Sequence, residues 1–166
     1  MENKTIKKCV FAGTFDPPTL GHKSLIETCL AIFDEVVVAI MVNPEKKPCF
    51  TVEQRMEMLA LTCNDSRLRI IAFTGTVAEL LEKENTKFYV RGIRNGVDLD
   101  FENANFYASK KLDKDLVTVY LPCEQSLLHV SSSMVRNSLK FHTPIDEYVS
   151  EPIKDFIERV TGKGEM

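Results

Sequence analysis

Cys9-Val10-Phe11-Ala12-Gly13-Thr14-Phe15-Asp16-Pro17-Pro18-Thr19-Leu20-Gly21-His22 is the stretch that decides the fold of this chain. Its first four residues form an apolar run of strand length, and turn chemistry follows: a glycine, then two prolines that stiffen the path. Beyond His22, the apolar residues Leu25, Ile26, Cys29, Leu30 and Phe33 recur at helical spacing. Strand, rigid loop and helix in that order open a β-α-β unit, and the pattern repeats along the chain. Further strands are expected at residues 35–42, 69–73, 87–90 and 116–121. Between them lie helical patterns: one follows the capping box Thr51-Val52-Glu53-Gln54, one covers residues 77–84, and one covers 99–111 with Asp98 as its expected cap. Pro152 falls near the start of a closing helix through Phe156 and Ile157, where proline is tolerated. The run Val36-Val37-Val38-Ala39-Ile40-Met41-Val42 is apolar on both faces, as a parallel strand covered on each side must be. These features predict an α/β, Rossmann-like single domain over residues 1–166, a five-stranded parallel sheet with helices on both faces.

The chain has 166 residues, enough for one substantial core, with 44% hydrophobic and 27% charged residues, the proportions of a folded globular protein. A net charge of −3 argues against a surface built for the nucleic-acid backbone, so no nucleic-acid partner is expected. The five cysteines are odd in number and contain no Cys-x-x-Cys pair, which suits free thiols better than a disulfide framework or a zinc site. No apolar run of about 18 residues occurs, and the opening MENKTIKK lacks the apolar core of a leader, so a cytoplasmic protein without membrane contact is expected.

In a sheet of this kind, ligands bind outside the carboxyl ends of the strands, so chemistry is sought in the loops that follow them. No Gly-x-x-x-x-Gly-Lys-Ser/Thr loop and no Gly-x-Gly-x-x-Gly turn is present, so a nucleotide would be held by other means. In the first loop, His22 falls at a helix N-terminus where unpaired N–H groups favour an anion, and Thr14 can donate to the same charge. After the second strand, Lys46 and Lys47 stand between prolines, where a lysine can reach a phosphate. After the fourth, Arg91-Gly92-Ile93-Arg94 sets two guanidinium forks three residues apart, with Glu102 placed to accept from a ribose or adenine donor. After the fifth, Val130-Ser131-Ser132-Ser133 brings three hydroxyls to the opening of a helix, one of them, Ser131 or Ser132, as its N-cap.

Gly-Thr-Phe-Asp-Pro, Thr-Leu-Gly-His, Lys-Lys-Pro-Cys-Phe-Thr, Arg-Gly-Ile-Arg and Ser-Ser-Ser, in that order, resemble the motif series of bacterial phosphopantetheine adenylyltransferases, within the nucleotidylyltransferase superfamily. The resemblance implies transfer of AMP from ATP to 4'-phosphopantetheine, giving dephospho-coenzyme A and pyrophosphate. It implies that Thr14, Phe15, His22, Gly92, Ile93, Arg94, Glu102, Leu127, Val130, Ser131, Ser132 and Ser133 face ATP. Thr14, Lys46, Thr76, Val77 and Arg91 would face the acceptor, with His22, Lys46, Arg94 and Thr14 carrying catalysis. It further implies Mg2+ bound mainly through ATP phosphates rather than by a protein metal site, a homohexamer, and coenzyme A as a feedback inhibitor. Asn95-Gly96 replaces the small apolar residues usual after Arg-Gly-x-Arg, Leu127 lies where an aromatic is common, and Asp98-Leu99-Asp100-Phe101-Glu102 keeps only the frame of its motif. Related enzymes with other phosphate acceptors share the first and last motifs, and a non-catalytic nucleotide sensor is the reading from a different class.

Overall fold

The computed structural model describes residues 6–162. β1 (Lys8–Gly13) leads through the proline loop into α1 (Leu20–Ile32), and β2 (Glu35–Met41), α2 (Val52–Ala60), β3 (Leu68–Phe73), α3 (Val77–Lys83), β4 (Phe88–Ile93), α4 (Gly96–Leu112) and β5 (Val117–Pro122) follow. A 3-10 turn at Gln125–Leu127 precedes α5 (Ser132–Phe141) and α6 (Glu151–Thr161). The five strands form one sheet in the order β3-β2-β1-β4-β5, every pair parallel. The order reverses between β1 and β4, which opens a crevice at their carboxyl ends.

Side-chain alternation explains why the sheet is covered twice. Cys9, Phe11, Val36, Val38 and Ile40 pack with Leu25, Ile26, Cys29 and Leu30 of α1 and Leu59 of α2. Their neighbours Val10, Ala12, Val37 and Ala39 point the other way, into Leu80 and Leu81 of α3 and Phe106 of α4. A third cluster joins Met58 of α2, Val135 of α5 and Ile153, Phe156 and Ile157 of α6, and Phe50 is buried in it. That cluster docks the two C-terminal helices beside the first loop, where the Leu20 N–H donates to the Tyr148 carbonyl at 2.9 Å.

Most element ends fall within a residue of the sequence expectation, and two that differ by more bear on the site. β4 runs past residue 90 through Ile93, because Arg91, Gly92 and Ile93 pair with Tyr120, Leu121 and Pro122 of β5, so most of the Arg-Gly-Ile-Arg segment is strand rather than loop. Asp98 is not the cap of α4; Asn95 is, its side chain accepting from the Asp98 N–H at 2.9 Å. The departure at Asn95 therefore supplies a helix start, and Gly96 opens the helix with nothing within 4 Å of where a Cβ would stand.

Candidate active site

The crevice at the switch point holds a cavity of about 470 Å³, the size of a small-ligand site. Its floor is the carboxyl end of β1 and the first loop, one wall is β4 and the start of α4, and the other is Leu127, Val130, Ser131 and Ser132. Two helix N-termini, those of α1 and α5, open onto it.

At the first of these, Thr19 is the N-cap of α1 and His22 occupies the position where a capping box ordinarily has Glu or Gln. The Thr19 N–H donates to His22 Nδ1 at 3.0 Å, and the Thr19 hydroxyl lies 3.1 Å from the same nitrogen. A nitrogen that accepts a backbone N–H carries no proton, so the ring proton is placed on Nε2, which is left as a donor in the cavity wall. Burial, then the Arg91 and Arg94 guanidinium groups, push the imidazole down to about 4, so His22 is neutral at physiological pH. The Phe15 ring packs edge-on against it at 4.9 Å and against Phe11 at 5.4 Å, fixing its plane.

Across the cavity, Arg91 donates to the Ala12 carbonyl at 2.9 Å and pairs with Glu102, which is buried. Arg94 Nε donates to Asp98 at 3.0 Å, a bond that holds the Asp98 carboxyl below its usual range. Both carboxylates of the wall are thus engaged by the arginines, and Glu102 meets Arg91 before any ribose. Gly92 lets α1 approach β4: a Cβ there would stand 2.4 Å from Leu25 Cδ1.

The three hydroxyls of the serine motif all have partners within the chain. Ser131 Oγ caps α5 by accepting from the Met134 N–H at 3.2 Å, Ser132 Oγ donates to the Pro17 carbonyl at 2.8 Å, and Ser133 Oγ accepts from Arg136 at 3.0 Å. What α5 presents to the cavity is its first-turn N–H groups, with the hydroxyls holding that turn in place.

Of the residues singled out by sequence, the cavity brings together Thr14, Phe15, His22, Arg91, Gly92, Arg94, Glu102, Leu127, Val130, Ser131 and Ser132. Ile93, Ser133, Lys46, Thr76 and Val77 lie outside its wall. Lys46 is exposed on the loop after β2. Thr76 caps α3, its hydroxyl accepting from the Glu79 N–H at 3.2 Å. These last positions follow β2 and β3, on the side of β1 away from β4, so Thr14 at the end of β1 stands between the two groups.

Several residues to which the sequence reading gave no site role also shape the site, Arg136 among them although it closes the serine motif. Arg55, 3% exposed, donates to the Thr14 carbonyl at 2.9 Å and to the Thr51 carbonyl at 3.3 Å. Arg136 donates to the Asp16 carbonyl at 2.7 Å. Asp16 itself is buried, and Phe15 beside it takes a left-handed φ of 50°. For Arg55 a signal existed, since it shares a helical face with the apolar Met58 and Leu59. Phe101 and Cys123 also line the cavity; burial pushes the Cys123 thiol up, so it contributes a neutral wall. Among the described residues, no group of three or more His, Cys, Asp or Glu side chains is placed to hold a metal.

A family model described as cytidylyltransferase-like matches residues 10–138, which takes in the first loop, both arginines and the serine motif. In fold and in sequence the chain is accordingly of the nucleotidyltransferase class. Among curated relatives, the phosphopantetheine adenylyltransferase of Flavobacterium johnsoniae is 36% identical over 150 residues, covering 90% of this chain and 98% of its own. That of Campylobacter jejuni subsp. jejuni is 36% identical over 151 residues, covering 90% and 96%. The chain belongs to the phosphopantetheine adenylyltransferase family. A solved structure of Plasmodium falciparum nicotinic acid mononucleotide adenylyltransferase, complexed with NaAD, shares the fold with a TM-score of 0.70 at 18% identity, covering 95% of this chain and 97% of that one.

Proposed function

We propose that this cavity aligns ATP for attack by 4'-phosphopantetheine, transferring AMP and releasing pyrophosphate, the adenylyl transfer of coenzyme A biosynthesis. One observation carries the reading: a neutral imidazole N–H, two arginines and two helix N-termini converge on a single cavity, a donor set suited to a polyphosphate. The acceptor phosphate is already an anion and needs no general base, so the neutral His22, which has no proton vacancy on Nε2, is suited to donate rather than to abstract. Catalysis rests on alignment and on charge stabilisation at the α-phosphate by His22, Arg94 and Lys46. Lys46 completes the set from the loop after β2, on the side where Thr76 and Val77 would meet the acceptor.

With Asp98 and Glu102 tied to arginines, the wall offers no unengaged carboxylate to a divalent cation. Magnesium would therefore be carried by the ATP phosphates and would supply charge neutralisation there. Assembly as a homohexamer, coenzyme A as a competing product-like inhibitor and a cytoplasmic place of work belong to the same reading. The exposed apolar side chains Val97, Phe101, Tyr107 and Leu112 of α4 support assembly, and no described helix is long and apolar enough to cross a membrane.

The test is pyrophosphate release with ATP and magnesium, comparing 4'-phosphopantetheine, nicotinate mononucleotide and glycerol phosphate as acceptors. Release with 4'-phosphopantetheine alone is expected. Release with another acceptor would retain the chemistry and refute the substrate, and ATP binding without any turnover would point to a sensor.

A further inference from the structure

Asp16 is a buried carboxylate, 5% exposed, that the adenylyl transfer itself does not use. It lies in the first loop, yet its side chain makes no bond there. Oδ2 accepts the Cys49 N–H at 2.8 Å and Oδ1 accepts the Phe50 N–H at 2.9 Å, two successive amides 33 and 34 residues away. Those amides close the loop that carries Lys46, and Cys49 is at most about 10 Å of chain from Lys46. The backbone around Asp16 is held separately: Arg55 takes the Thr14 carbonyl, Arg136 the Asp16 carbonyl and Ser132 the Pro17 carbonyl. The carboxylate is therefore free to serve the neighbouring loop alone. Two charge-assisted bonds to adjacent N–H groups fix both the position and the direction of that loop's end.

We propose that Asp16 is a positioning residue that anchors the Lys46 loop to the first loop, so that the lysine and His22 are presented to the reacting phosphates in one fixed relation. The proposal rests on the reading of Lys46 as a phosphate ligand. The carboxylate touches no substrate; it acts through the loop. Its loss should therefore impair the step that needs Lys46 while leaving the arginines and helix N-termini that bind ATP in place.

The experiment is a double-mutant cycle. Asp16→Asn keeps the shape but sets an amide N–H₂ against one of the two donors. ATP affinity by calorimetry is expected to stay within about twofold and turnover to fall about tenfold or more, the effect of leaving one buried donor unpaired. Lys46→Ala alone is expected to cost about 100-fold in turnover, and adding Asp16→Asn to it should slow it no further, because the anchor then positions nothing. Cys49→Pro removes one of the facing N–H groups at an exposed position and should reproduce the Asp16→Asn profile, which keeps the test available if Asp16→Asn does not fold. Multiplicative losses in the double variant, an ATP affinity that falls as far as turnover, or an unchanged turnover would each overturn the proposal. A neutral Lys46→Ala would remove the lysine from the chemistry and the anchor's purpose with it, an outcome distinguishable from a Lys46 that matters and an Asp16 that acts elsewhere.

Discussion

Acid should destabilise this protein through His22, and replacing that histidine should remove the effect. In the folded chain the imidazole titrates at about 4, against 6.5 for an unperturbed histidine. Between those values the unfolded chain binds a proton that the folded chain refuses, so stability rises with pH through that window and is lost as pH falls. The cause is geometric: protonation needs a hydrogen on Nδ1, where the Thr19 N–H already donates at 3.0 Å, and it adds charge beside Arg91 and Arg94. For a single site moved from 6.5 to about 4, going from pH 7 to about 4.5 costs roughly 2 kcal/mol. Urea unfolding at the two pH values, in wild type and in His22→Asn, measures this. Asn is the matched control because its carbonyl oxygen stands near the place of Nδ1 and still accepts from Thr19. The expected result is a wild-type loss larger than the variant's by about 2 kcal/mol. Parallel curves would refute the tautomer assignment and, with it, the picture of His22 as a neutral donor.

Arg94→Ala should lower turnover about 100-fold in the pyrophosphate assay while changing unfolding free energy by less than about 1 kcal/mol, since its pair with Asp98 is exposed; a large stability loss would make it structural. Gly92→Ala should destabilise by about 1–3 kcal/mol, seen as a lowered Tm, because the new methyl meets Leu25 at 2.4 Å. An unchanged Tm with full ATP binding would show that the Leu25 side chain can turn aside. Arg55→Met keeps the apolar stem but strands the Thr14 carbonyl, and a cost of about 2 kcal/mol is expected in urea. Its effect on turnover should exceed that of Arg67→Met, whose guanidinium lies on the surface with Asp65.

The strands and helices were legible because their signals are local. Val36 to Ile40, buried without interruption, can only be a strand covered on both faces, and Thr51-x-x-Gln54 builds its own cap from residues three apart. The ends of elements were less legible. Arg91 to Ile93 became strand only because β5 supplied partners, and Asp98 lost the cap to Asn95 because both residue types suit that role and the neighbouring arginine decides which is engaged.

For the site, the sequence determined which residues gather at one edge, since Thr14, His22, Arg91, Arg94, Ser131 and Ser132 stand at or just beyond the carboxyl ends of strands that a parallel sheet sends to one edge. Only the tertiary structure decided what each of them does. The serine hydroxyls are engaged by the Met134 N–H, the Pro17 carbonyl and Arg136, Glu102 is taken by Arg91, and Asp16 reaches across to a loop more than 30 residues away. A side chain has a few polar atoms and many candidate partners; spacing in the chain fixes where its backbone leaves the sheet, but the partner is chosen by which backbone groups packing leaves unpaired within about 3 Å.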